Sequence, residues 1–500
     1  MKTIASMACL ALVLFLAGCG SSSPPANPLV YKYSANAPAG SSVVVQFGPD
    51  TNYGFTTSPV VVPDGETNTT VIVAGMKQQT AYHMRAVATL PDGSQTQDPD
   101  RTFTTGQIPA DLQPSLTVTP TQGMTPSPGV ELVGLTNGNG DAKKRLTIFA
   151  TDTAGNVIWY YDYDRALGIA DPIKLLPNGH FLVNLYIGTS VPGGDLREID
   201  LSGAIIHEFT LAELNNALKA AGYDWTANSI HHDFTLLPNG HLLILVNSNK
   251  DFTDLPGFPG TTTVLGDSIV DLDPDFNPVW VWSTFDHLDI NRHPMMFPDW
   301  THSNALLYSP TDGNLVLSMR HQFWVIKIDY ADGQGAGDIL WRLGNGGDFT
   351  LLNSNSPADW FYAQHYANII SPNSAGNFQL ALFDNGDNRV LDSSGTTCGS
   401  TGAPACYSRP AIFDVNENDM TAQLLWSYPT VYSFWGGAIQ ELPNTNMFVD
   451  VTTPADNITG ARFLELTQEA TPQVVWELDV NGGNSYRTIH LPSLYPGVQW

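Results

Sequence analysis

The sequence predicts an all-β fold in which a small β-sandwich precedes a six-bladed β-propeller. Short alternating apolar runs, separated by Gly, Pro and Asp turns, recur along almost the whole chain. From about residue 129 a hairpin pattern repeats, and two unmatched half-repeats stand at opposite ends of this region. The composition agrees, since 500 residues include 44 Gly and 35 Pro and only 14% are charged.

The charge of the chain restricts its partners. Twenty-one Lys and Arg stand against 48 Asp and Glu, which gives a formal net charge of −27. Such a surface repels nucleic acid and anionic lipid headgroups, so we expect neither as a binding partner. An anionic ligand would have to be held by a few local cations.

Residues 1–19 are typical of a secretory signal, with one Lys, a short apolar run and small residues before Cys19. The ending Leu16-Ala17-Gly18-Cys19 resembles the bacterial lipobox, which implies cleavage before Cys19 and acylation of its thiol. A plain signal peptide cut nearby is the alternative. Residues 20–27 then form a flexible tether. We therefore expect an exported protein, lipid-anchored in the bacterial cell envelope at its periplasmic or outer-membrane face.

Residues 28–107 contain short alternating runs and predict the sandwich. Their last part, TAYHMRAVATLPDGSQTQDPDRTFTT, resembles the final strands of a fibronectin type III domain, which carries no functional implication. Residues 108–128, rich in Pro and Thr, are interpreted as a linker. Only Cys398 and Cys406 lie beyond the N-terminal segment; eight positions apart in a Gly/Ser/Thr-rich loop, they predict a disulfide, with a metal-binding pair as the alternative.

Residues 129–500 predict the propeller. Apolar hairpins such as FTLLPNGHLLILV alternate with hairpins that end in an aromatic strand, so each repeat supplies four strands, and five full repeats can be counted. The leftover halves, RLTIFATDTAGNVIWYY and YRTIHLPSLYPG, complete a sixth. A propeller closes its ring in this way, with one blade built from both ends of the propeller segment.

Aligning the first hairpins on their apolar pairs places histidines at equivalent positions. Four residues before the pair stand, in order, Asp171, His232, His302, His365, Gly437 and Tyr486. If these strands are the innermost of each blade, His232, His302 and His365 converge at one mouth of the channel. The hairpin also returns to that mouth at the end of its second strand, which brings Arg320 close to His302.

Other polar residues near these positions are less clearly functional. His231 points away from His232 in an extended strand, so it lies behind the site at best. Asp233 either orients an imidazole or caps the strand, and His321 is as readily a packing residue as a functional one.

The sequence resembles the bacterial arylsulfotransferase family over essentially its whole length. The resemblance rests on HHDFTLLPNG, the His-x-Asn of DWTHSNALLY, the Arg-His of LSMRHQFWVIKID, the Gln-His of FYAQHYANII and the terminal SYRTIHLPSLYP. It implies a sandwich joined to a six-bladed propeller, and transfer of a sulfuryl group from a phenolic sulfate ester to another phenol without a nucleotide sulfate donor. No metal or other cofactor is implied.

The resemblance also implies roles for individual residues. His365 would be the nucleophile that becomes sulfated, and the sulfate-binding pocket would comprise His232, His302, Asn304 and Arg320. His231 and Tyr486 would assist in substrate binding, and Trp300 and Phe361 either line an aryl slot or pack within blades. One departure concerns the disulfide, which precedes the Gln-His motif in the family but follows His365 here, so that it is either related to the site or an independent loop staple.

Two other classes remain open on the sequence alone. Three convergent histidines also suit zinc or copper in a metal-dependent hydrolase or oxidase, although Arg320 beside them opposes a cation. A non-catalytic surface lipoprotein whose propeller binds a partner is the second alternative, but it leaves the histidines without a role.

Overall fold

The computed structural model describes residues 27–136, 146–164, 167–186, 193–372, 376–453 and 460–500. Nearly all regular structure in these ranges is β-strand, which confirms the all-β prediction. The predicted signal peptide, Cys19 and all of the tether except Asn27 lie outside the described residues. None of the described helices has the length and apolar character needed to cross a bilayer.

Eight strands near the N-terminus form two antiparallel sheets that share an apolar core. Strands β1 and β5 pair with each other, while β2, β3, β4, β6, β7 and β8 form the second sheet. Alternate residues of β2 and β6 are buried, as the period of two in their sequences predicts. The strands are β1 Tyr31–Asn36, β2 Ser42–Gly48, β3 Phe55–Thr56, β4 Val60–Val61, β5 Asn68–Val73, β6 Ala81–Thr89, β7 Gln95–Gln97 and β8 Arg101–Thr104.

Six further sheets follow, and their pairing is antiparallel apart from one short parallel pair. The strands up to residue 283 are β9 Ser115–Pro120, β10 Val130–Thr136, β11 Ile148–Thr151, β12 Val157–Tyr161, β13 Ile169–Leu175, β14 Phe181–Tyr186, β15 Asp195–Ile199, β16 Ile205–Thr210, β17 Ser229–Leu236, β18 Leu242–Leu255, β19 Phe258–Leu272 and β20 Pro278–Ser283. Strands β10–β12 belong to one sheet, β13–β16 to the next and β17–β20 to the third. Strand β9 joins a later sheet.

The strands after residue 283 are β21 Ser303–Ser309, β22 Asn314–Met319, β23 Trp324–Ile328, β24 Ile339–Leu343, β25 Thr350–Leu351, β26 His365–Pro372, β27 Asn377–Asp384, β28 Arg409–Asn416, β29 Thr421–Ser427, β30 Ala438–Glu441, β31 Met447–Val451, β32 Gly460–Leu466, β33 Val474–Asn481, β34 Asn484–Ser485 and β35 Ile489–Leu491. Strands β21–β24, β25–β29 and β30–β33 form the other three sheets, and β34 and β35 return to pair with β10. One sheet thus contains strands from both ends of this region.

The first strands of the six sheets contact one another in chain order, β10 with β13, β13 with β17, β17 with β21, β21 with β26 and β26 with β30. Strand β30 in turn contacts β35, which pairs with β10. The starts of these strands therefore lie around a common centre.

Two parts of the predicted domain division differ from the structure. Strand β9 lies within residues 108–128 and pairs with β33 as the fifth strand of its sheet, so part of the predicted linker belongs to a sheet. Residues near the C-terminus also contact the N-terminal sheets. The Tyr495 hydroxyl accepts a hydrogen bond from the Ala74 N–H and donates one to the Ile72 carbonyl. These contacts arise because the two halves share one apolar core.

The described helices are short insertions between strands. Helix α1, Leu211–Ala220, follows β16 and begins with a capping box, in which Thr210 and Glu213 satisfy each other's backbone N–H groups. Helix α2, Thr284–His287, follows β20, and one-turn 3-10 helices occupy Arg320–Gln322, Ala331–Gly333 and Pro357–Asp359.

Candidate active site

The six aligned positions all lie near the start of a strand at one edge of its sheet, namely β13, β17, β21, β26, β30 or β35. Asp171, His232 and His365 belong to β13, β17 and β26, whereas His302 and Gly437 each precede a first strand by one residue. Tyr486 lies between β34 and β35. Because these strand starts surround one centre, the side chains meet there.

Local backbone distortion turns these side chains toward the centre. The pairing register shifts in β17 between Ile230 and Phe234, next to His232, and again within β21 and β26. His232 and His302 adopt positive φ values of 55° and 48°. Bulges re-aim side chains, and non-glycine residues in left-handed conformations cluster at functional sites. The regular alternation assumed from the sequence does not hold here.

The three histidines lie around Tyr486. The ring centroid of His232 lies 4.7 Å from that of His302 and 5.2 Å from that of Tyr486. The His365 ring lies 5.7 Å from that of Tyr486. The three aligned histidines are therefore brought together, and the Tyr486 ring contacts both His232 and His365.

The hydrogen bonds of His365 fix its tautomer. Its Nδ1 lies 2.7 Å from Oδ1 of Asn385, whose amide N–H groups donate to the carbonyls of Ser433 and Gly436. Because the amide nitrogen is used in this way, the amide oxygen accepts from Nδ1–H, which leaves the lone pair on Nε2. Burial, followed by the positive charge of Arg320, holds the pKa of His365 well below its usual range. His365 is thus a neutral imidazole with its lone pair on Nε2.

A glycine backbone approaches the free nitrogen of His365. The N–H of Gly436 lies 3.3 Å from Nε2, a long hydrogen bond. A Cβ at this residue would lie 2.6 Å from Oγ1 of Thr452, and its φ of +65° also favours glycine. Gly436 therefore lets a backbone donor reach Nε2 where a side chain would not fit.

Gln364, beside His365, anchors the strand to the neighbouring sheet. Its amide nitrogen donates to Oγ of Ser318 and to the carbonyls of Met319 and Trp324. Asn304 contributes from the other side, because one of its amide N–H groups donates to the Gln364 carbonyl at 2.7 Å. These buried amides fix the position of His365.

His302 has a carboxylate partner. Its Nδ1 lies 2.5 Å from Oδ2 of Asp299. Burial would raise the pKa of the Asp299 carboxyl, but the charge and hydrogen bond of His302 outweigh burial and lower it. His302 therefore donates from Nδ1 to an anion, which orients its ring and leaves Nε2 for a ligand.

His232 has another imidazole as its partner. Its Nδ1 lies 2.8 Å from Nδ1 of His231, whose own Nε2 lies 3.4 Å from Oδ1 of Asp267. Burial, followed by the charge of His302, holds the pKa of His232 well below its usual range. His231 is fully buried, and its described contacts are with His232 and Asp267, so it lies behind the site.

Arg320 crosses from its own sheet to the next two. Its backbone N–H donates to the His302 carbonyl, which agrees with the predicted return of the hairpin. Nη1 donates to Nε2 of His321, and Nη2 donates to Oδ2 of Asp387 and to the Phe434 carbonyl. Its Nε is buried and has no hydrogen-bond partner among the described residues. One donor of the guanidinium is therefore left for a ligand.

A cavity of about 900 Å³ adjoins the site at Arg320. Its wall includes Met295, Phe434 and both residues of the disulfide between Cys398 and Cys406. The Phe434 side chain is half exposed there. Although Cys398 and Cys406 follow His365 in sequence, their loop forms part of the cavity next to the site.

The described residues include one cluster with the spacing of a metal site, formed by Asp299, His302 and His321. Both nitrogens of His321 already have partners, because Nδ1–H donates to the Asp299 carbonyl and Nε2 accepts from Arg320. Burial lowers the pKa of His321 to about 3, which agrees with this neutral tautomer. A cation here would displace a guanidinium, so the donor set does not fit a metal.

A second arginine, Arg487, lies near His232 and His365 and was not identified from the sequence. Its guanidinium donates to the Asn304 carbonyl and lies 3.2 Å from Oδ1 of Asp233. Asp233 also pairs with Lys174 at 2.6 Å and accepts from the Leu306 N–H. Asp233 therefore joins neighbouring sheets through cations, which is neither of the roles expected for it.

Two aromatic residues considered for an aryl slot are core residues instead. Trp300 is fully buried, stacks on Phe285 and donates its indole N–H to the Arg292 carbonyl. Phe361 is fully buried and packs against Phe413. The packing interpretation of both residues is therefore confirmed.

Sequence reasoning missed Asn385 and Asp299, the partners of two site histidines. A signal for Asn385 existed, because it follows the second strand of its hairpin just as Arg320 does. Asp299 lies three residues before His302 in a loop, where no strand register predicts its direction. Gly436 precedes the aligned Gly437, and only its backbone acts in the site.

An all-β fold with a buried group of histidines beside an arginine and a cavity defines a class of anion-binding, histidine-centred site. The sequence model of the arylsulfotransferase (ASST) family matches residues 122–487. The chain belongs to the arylsulfotransferase family.

Two curated relatives are arylsulfate sulfotransferases named AssT. That of Escherichia coli O6:H1 is 26% identical over an alignment of 345 positions, and the match covers 56% of this chain and 52% of the relative. That of Lelliottia amnigena is 24% identical over the same extent. The chain thus spans about half the length of the curated relatives it matches.

Similar solved structures include a lignostilbene dioxygenase from Pseudomonas brassicacearum, with 13% identity, 92% of this chain and 95% of that chain covered, and a TM-score of 0.34. A member of the DUF4221 family from Bacteroides vulgatus has 9% identity, covers 75% of this chain and 97% of its own, and gives a TM-score of 0.30. Similarity at this level carries no argument about function.

Proposed function

We propose that the protein is an aryl-sulfate sulfotransferase that moves a sulfuryl group from a phenolic sulfate ester to an acceptor phenol through a sulfated His365. The observation that carries this proposal is the hydrogen bond between His365 and Asn385, which leaves a neutral imidazole with its lone pair on Nε2. A neutral nucleophile suits a sulfate ester because its anionic oxygens repel a carboxylate.

In the first step, Nε2 of His365 attacks the sulfur of the donor, and the bond from sulfur to the aryl oxygen breaks. The leaving phenolate takes a proton from His232, which lies beside His302 and Tyr486. In the second step, an acceptor phenol returns a proton to His232 while its oxygen attacks sulfur. The electron pair of the sulfur–nitrogen bond then returns to His365.

Fixed donors hold the three peripheral oxygens of the sulfuryl group. With a sulfate group bound, His302 would donate from Nε2 while Asp299 holds its Nδ1–H, and Arg320 offers its unpartnered Nε–H. The backbone N–H of Gly436, already directed at His365 Nε2, is a further donor near the reacting atom. Preorganised donors of this kind stabilise charge that develops in the transition state without needing to reorient.

The cavity outside Arg320 supports the choice of aryl substrates. Met295 and the half-exposed Phe434 offer apolar surface to a ring, next to the cation that would hold the sulfate. Tyr486 contacts both His232 and His365 and would contact the ring attached to the reacting oxygen. Both donor and acceptor are therefore proposed to be small phenolic molecules.

We also propose an architecture and a cellular location for the protein. The consecutive contacts of the six first strands support a six-bladed propeller over residues 129–500, and the two N-terminal sheets support a fibronectin-like sandwich over residues 28–107. The lipobox supports export and lipid anchoring through Cys19. Replacement of Cys19 by Ser should release or mis-sort the protein, and membrane binding that persists in high salt would point to another anchor.

The experiment that tests the activity is intact-mass measurement after incubation with an aryl sulfate alone. We expect a gain of one sulfuryl group, acid-labile and localised to the peptide that contains His365, together with a burst of released phenol. Addition of an acceptor phenol should remove the added mass. A gain on His232 or His302 would reassign the nucleophile.

Single-displacement kinetics without any mass gain would overturn the covalent mechanism. Loss of turnover on chelation, restored by zinc or copper, would favour the metal-dependent alternative. Absence of any reaction with a range of aryl sulfates would overturn the proposed activity itself.

A further inference from the structure

A difficulty arises at His232, which the proposed activity requires to exchange a proton. His232 is buried, and burial holds its pKa well below the usual range, so it does not carry a positive charge at neutral pH. The titratable and charged groups that surround the pair of adjacent histidines are Tyr186, Asp267, Asp299, His302, His365, Tyr486 and Arg487. The anions among them are Asp267 and Asp299. Asp299 is paired with His302, whereas Asp267 lies next to His231.

Asp267 does not contact His232 directly but reaches it through His231. Nε2 of His231 lies 3.4 Å from Oδ1 of Asp267, and Nδ1 of His231 lies 2.8 Å from Nδ1 of His232. All three side chains are buried. The order carboxylate, imidazole, imidazole therefore leads from an interior anion to the site.

Asp267 is itself held firmly. Its Oδ2 accepts hydrogen bonds from the Ser303 N–H at 2.5 Å and from the Thr301 hydroxyl at 2.7 Å. These residues flank His302, so the same carboxylate that faces His231 also fixes the backbone that presents His302. A buried carboxylate with several donors keeps its charge.

We propose that His231 and Asp267 form a proton-storing pair behind His232, so that His232 exchanges a proton with the phenolic oxygen while it remains neutral. This inference rests on the proposed sulfotransferase function. His231 and Asp267 are positioning residues in it, because neither touches the substrate.

The proposed exchange moves two protons and places no charge on His232. Before sulfation, His231 is an imidazolium beside Asp267 and donates Nδ1–H to His232, whose Nε2 carries a proton. As the phenolate leaves, the Nε2 proton of His232 moves to the phenolic oxygen, and the Nδ1 proton of His231 moves to Nδ1 of His232. Transfer to the acceptor reverses both movements. Before sulfation the positive charge lies on His231, next to a carboxylate; it is neutralised when the proton reaches the phenolate and is restored on His231 by the acceptor phenol. His232 carries only one proton at a time.

The test is the dependence of transfer rate on the acidity of the phenol in the Asp267→Asn variant. Asparagine keeps an oxygen for the Ser303 N–H but removes the charge that stabilises protonated His231. Donors with strongly acidic phenols leave without a proton, so their rate of phenol release should change little. Donors with weakly acidic phenols need the proton, and their rate should fall by about 10²-fold.

Thr301→Val is the matched control. It removes one hydrogen bond to the Asp267 carboxylate but leaves the charge and His231 in place. It should change the rates for strongly and weakly acidic phenols by the same factor. If Asp267→Asn does not fold, His231→Gln removes the second imidazole instead and should produce the same steep dependence on phenol acidity.

An equal loss with all phenols in Asp267→Asn, or in His231→Gln, would overturn the proton-storing role and leave a structural one. That result would not affect the proposed function, provided that the wild-type protein still shows the phenol burst and the sulfated His365. A wild-type protein without either would instead overturn the proposed function on which the pair depends.

Discussion

The hairpins that carry His302 and His365 begin in adjacent sheets at equivalent places, yet their histidines have opposite partners. Nδ1 of His302 faces the carboxylate of Asp299, whereas Nδ1 of His365 faces the amide oxygen of Asn385. A carboxylate favours the protonated ring, while an amide oxygen fixes a tautomer without favouring charge. Two copies of one repeat thus supply one histidine held by a carboxylate and one neutral histidine held by an amide, by exchange of one partner.

The difference between His302 and His365 predicts that substitution of His365 has the largest effect on sulfuryl transfer. Because His365 alone forms the covalent bond in the proposed mechanism, His365→Ala should abolish transfer and the mass gain after incubation with donor. Steady-state rates and intact mass measure the two effects. A variant that retains the burst of phenol would show that the two histidines do not differ as described.

The Asp299→Asn variant makes the His302 partner resemble that of His365. Loss of the carboxylate removes the charge-assisted donor at His302, so we expect the sulfation rate to fall by about 10²-fold in single-turnover measurements. Asp289→Asn, an exposed charge change in the preceding loop, is the control and should retain wild-type rates. Equal activity of Asp299→Asn and wild type would show that the Asp299 carboxylate does not contribute to sulfation through His302.

Arg320→Lys probes the donor that both hairpins share. An ammonium cannot reproduce the contacts of the guanidinium with His321, Asp387 and the site at the same time, so we expect transfer to fall by about 10-fold. Arg342→Lys, which changes a half-buried surface arginine paired with Asp348, serves as the control. Unchanged kinetics in Arg320→Lys would remove Arg320 from the sulfuryl pocket.

The neutral state of His365 also predicts a smaller effect, on stability. An unfolded histidine binds a proton below about pH 6.5, whereas buried His365 stays neutral down to its lowered pKa. Below pH 6.5 the unfolded state therefore binds more protons, and the free energy of unfolding falls as pH falls, by about 1.4 kcal/mol per pH unit for this group.

Urea unfolding of wild type and His365→Gln between pH 7.5 and 5 measures this contribution. The variant should lose stability less steeply with falling pH, by the slope of one proton. Identical slopes would mean that His365 is protonated in the folded protein.

The sequence was sufficient to predict strands, turns and the positions of the three histidines. The alignment of apolar pairs such as Leu236-Leu237 places His232 correctly, because hairpin length fixes which residues begin each strand. The position of Arg320 near His302 followed from the same rule. The pairing of β9 with β33 could not be predicted in this way, since these strands are more than 350 residues apart.

The partners that set the chemistry of each histidine depended on tertiary structure. Asn385 is oriented by carbonyls of Ser433 and Gly436 from the loop before β30, and Asp267 reaches His231 from two strands away in the same sheet. Bulges at His232 and His302 also overrule the alternation of side chains that the sequence implies. The sequence by itself determined the strands and their grouping into hairpins, because these follow from local periodicity. Only the tertiary structure decided the partner of each imidazole, because burial and hydrogen bonding join residues that are distant along the chain.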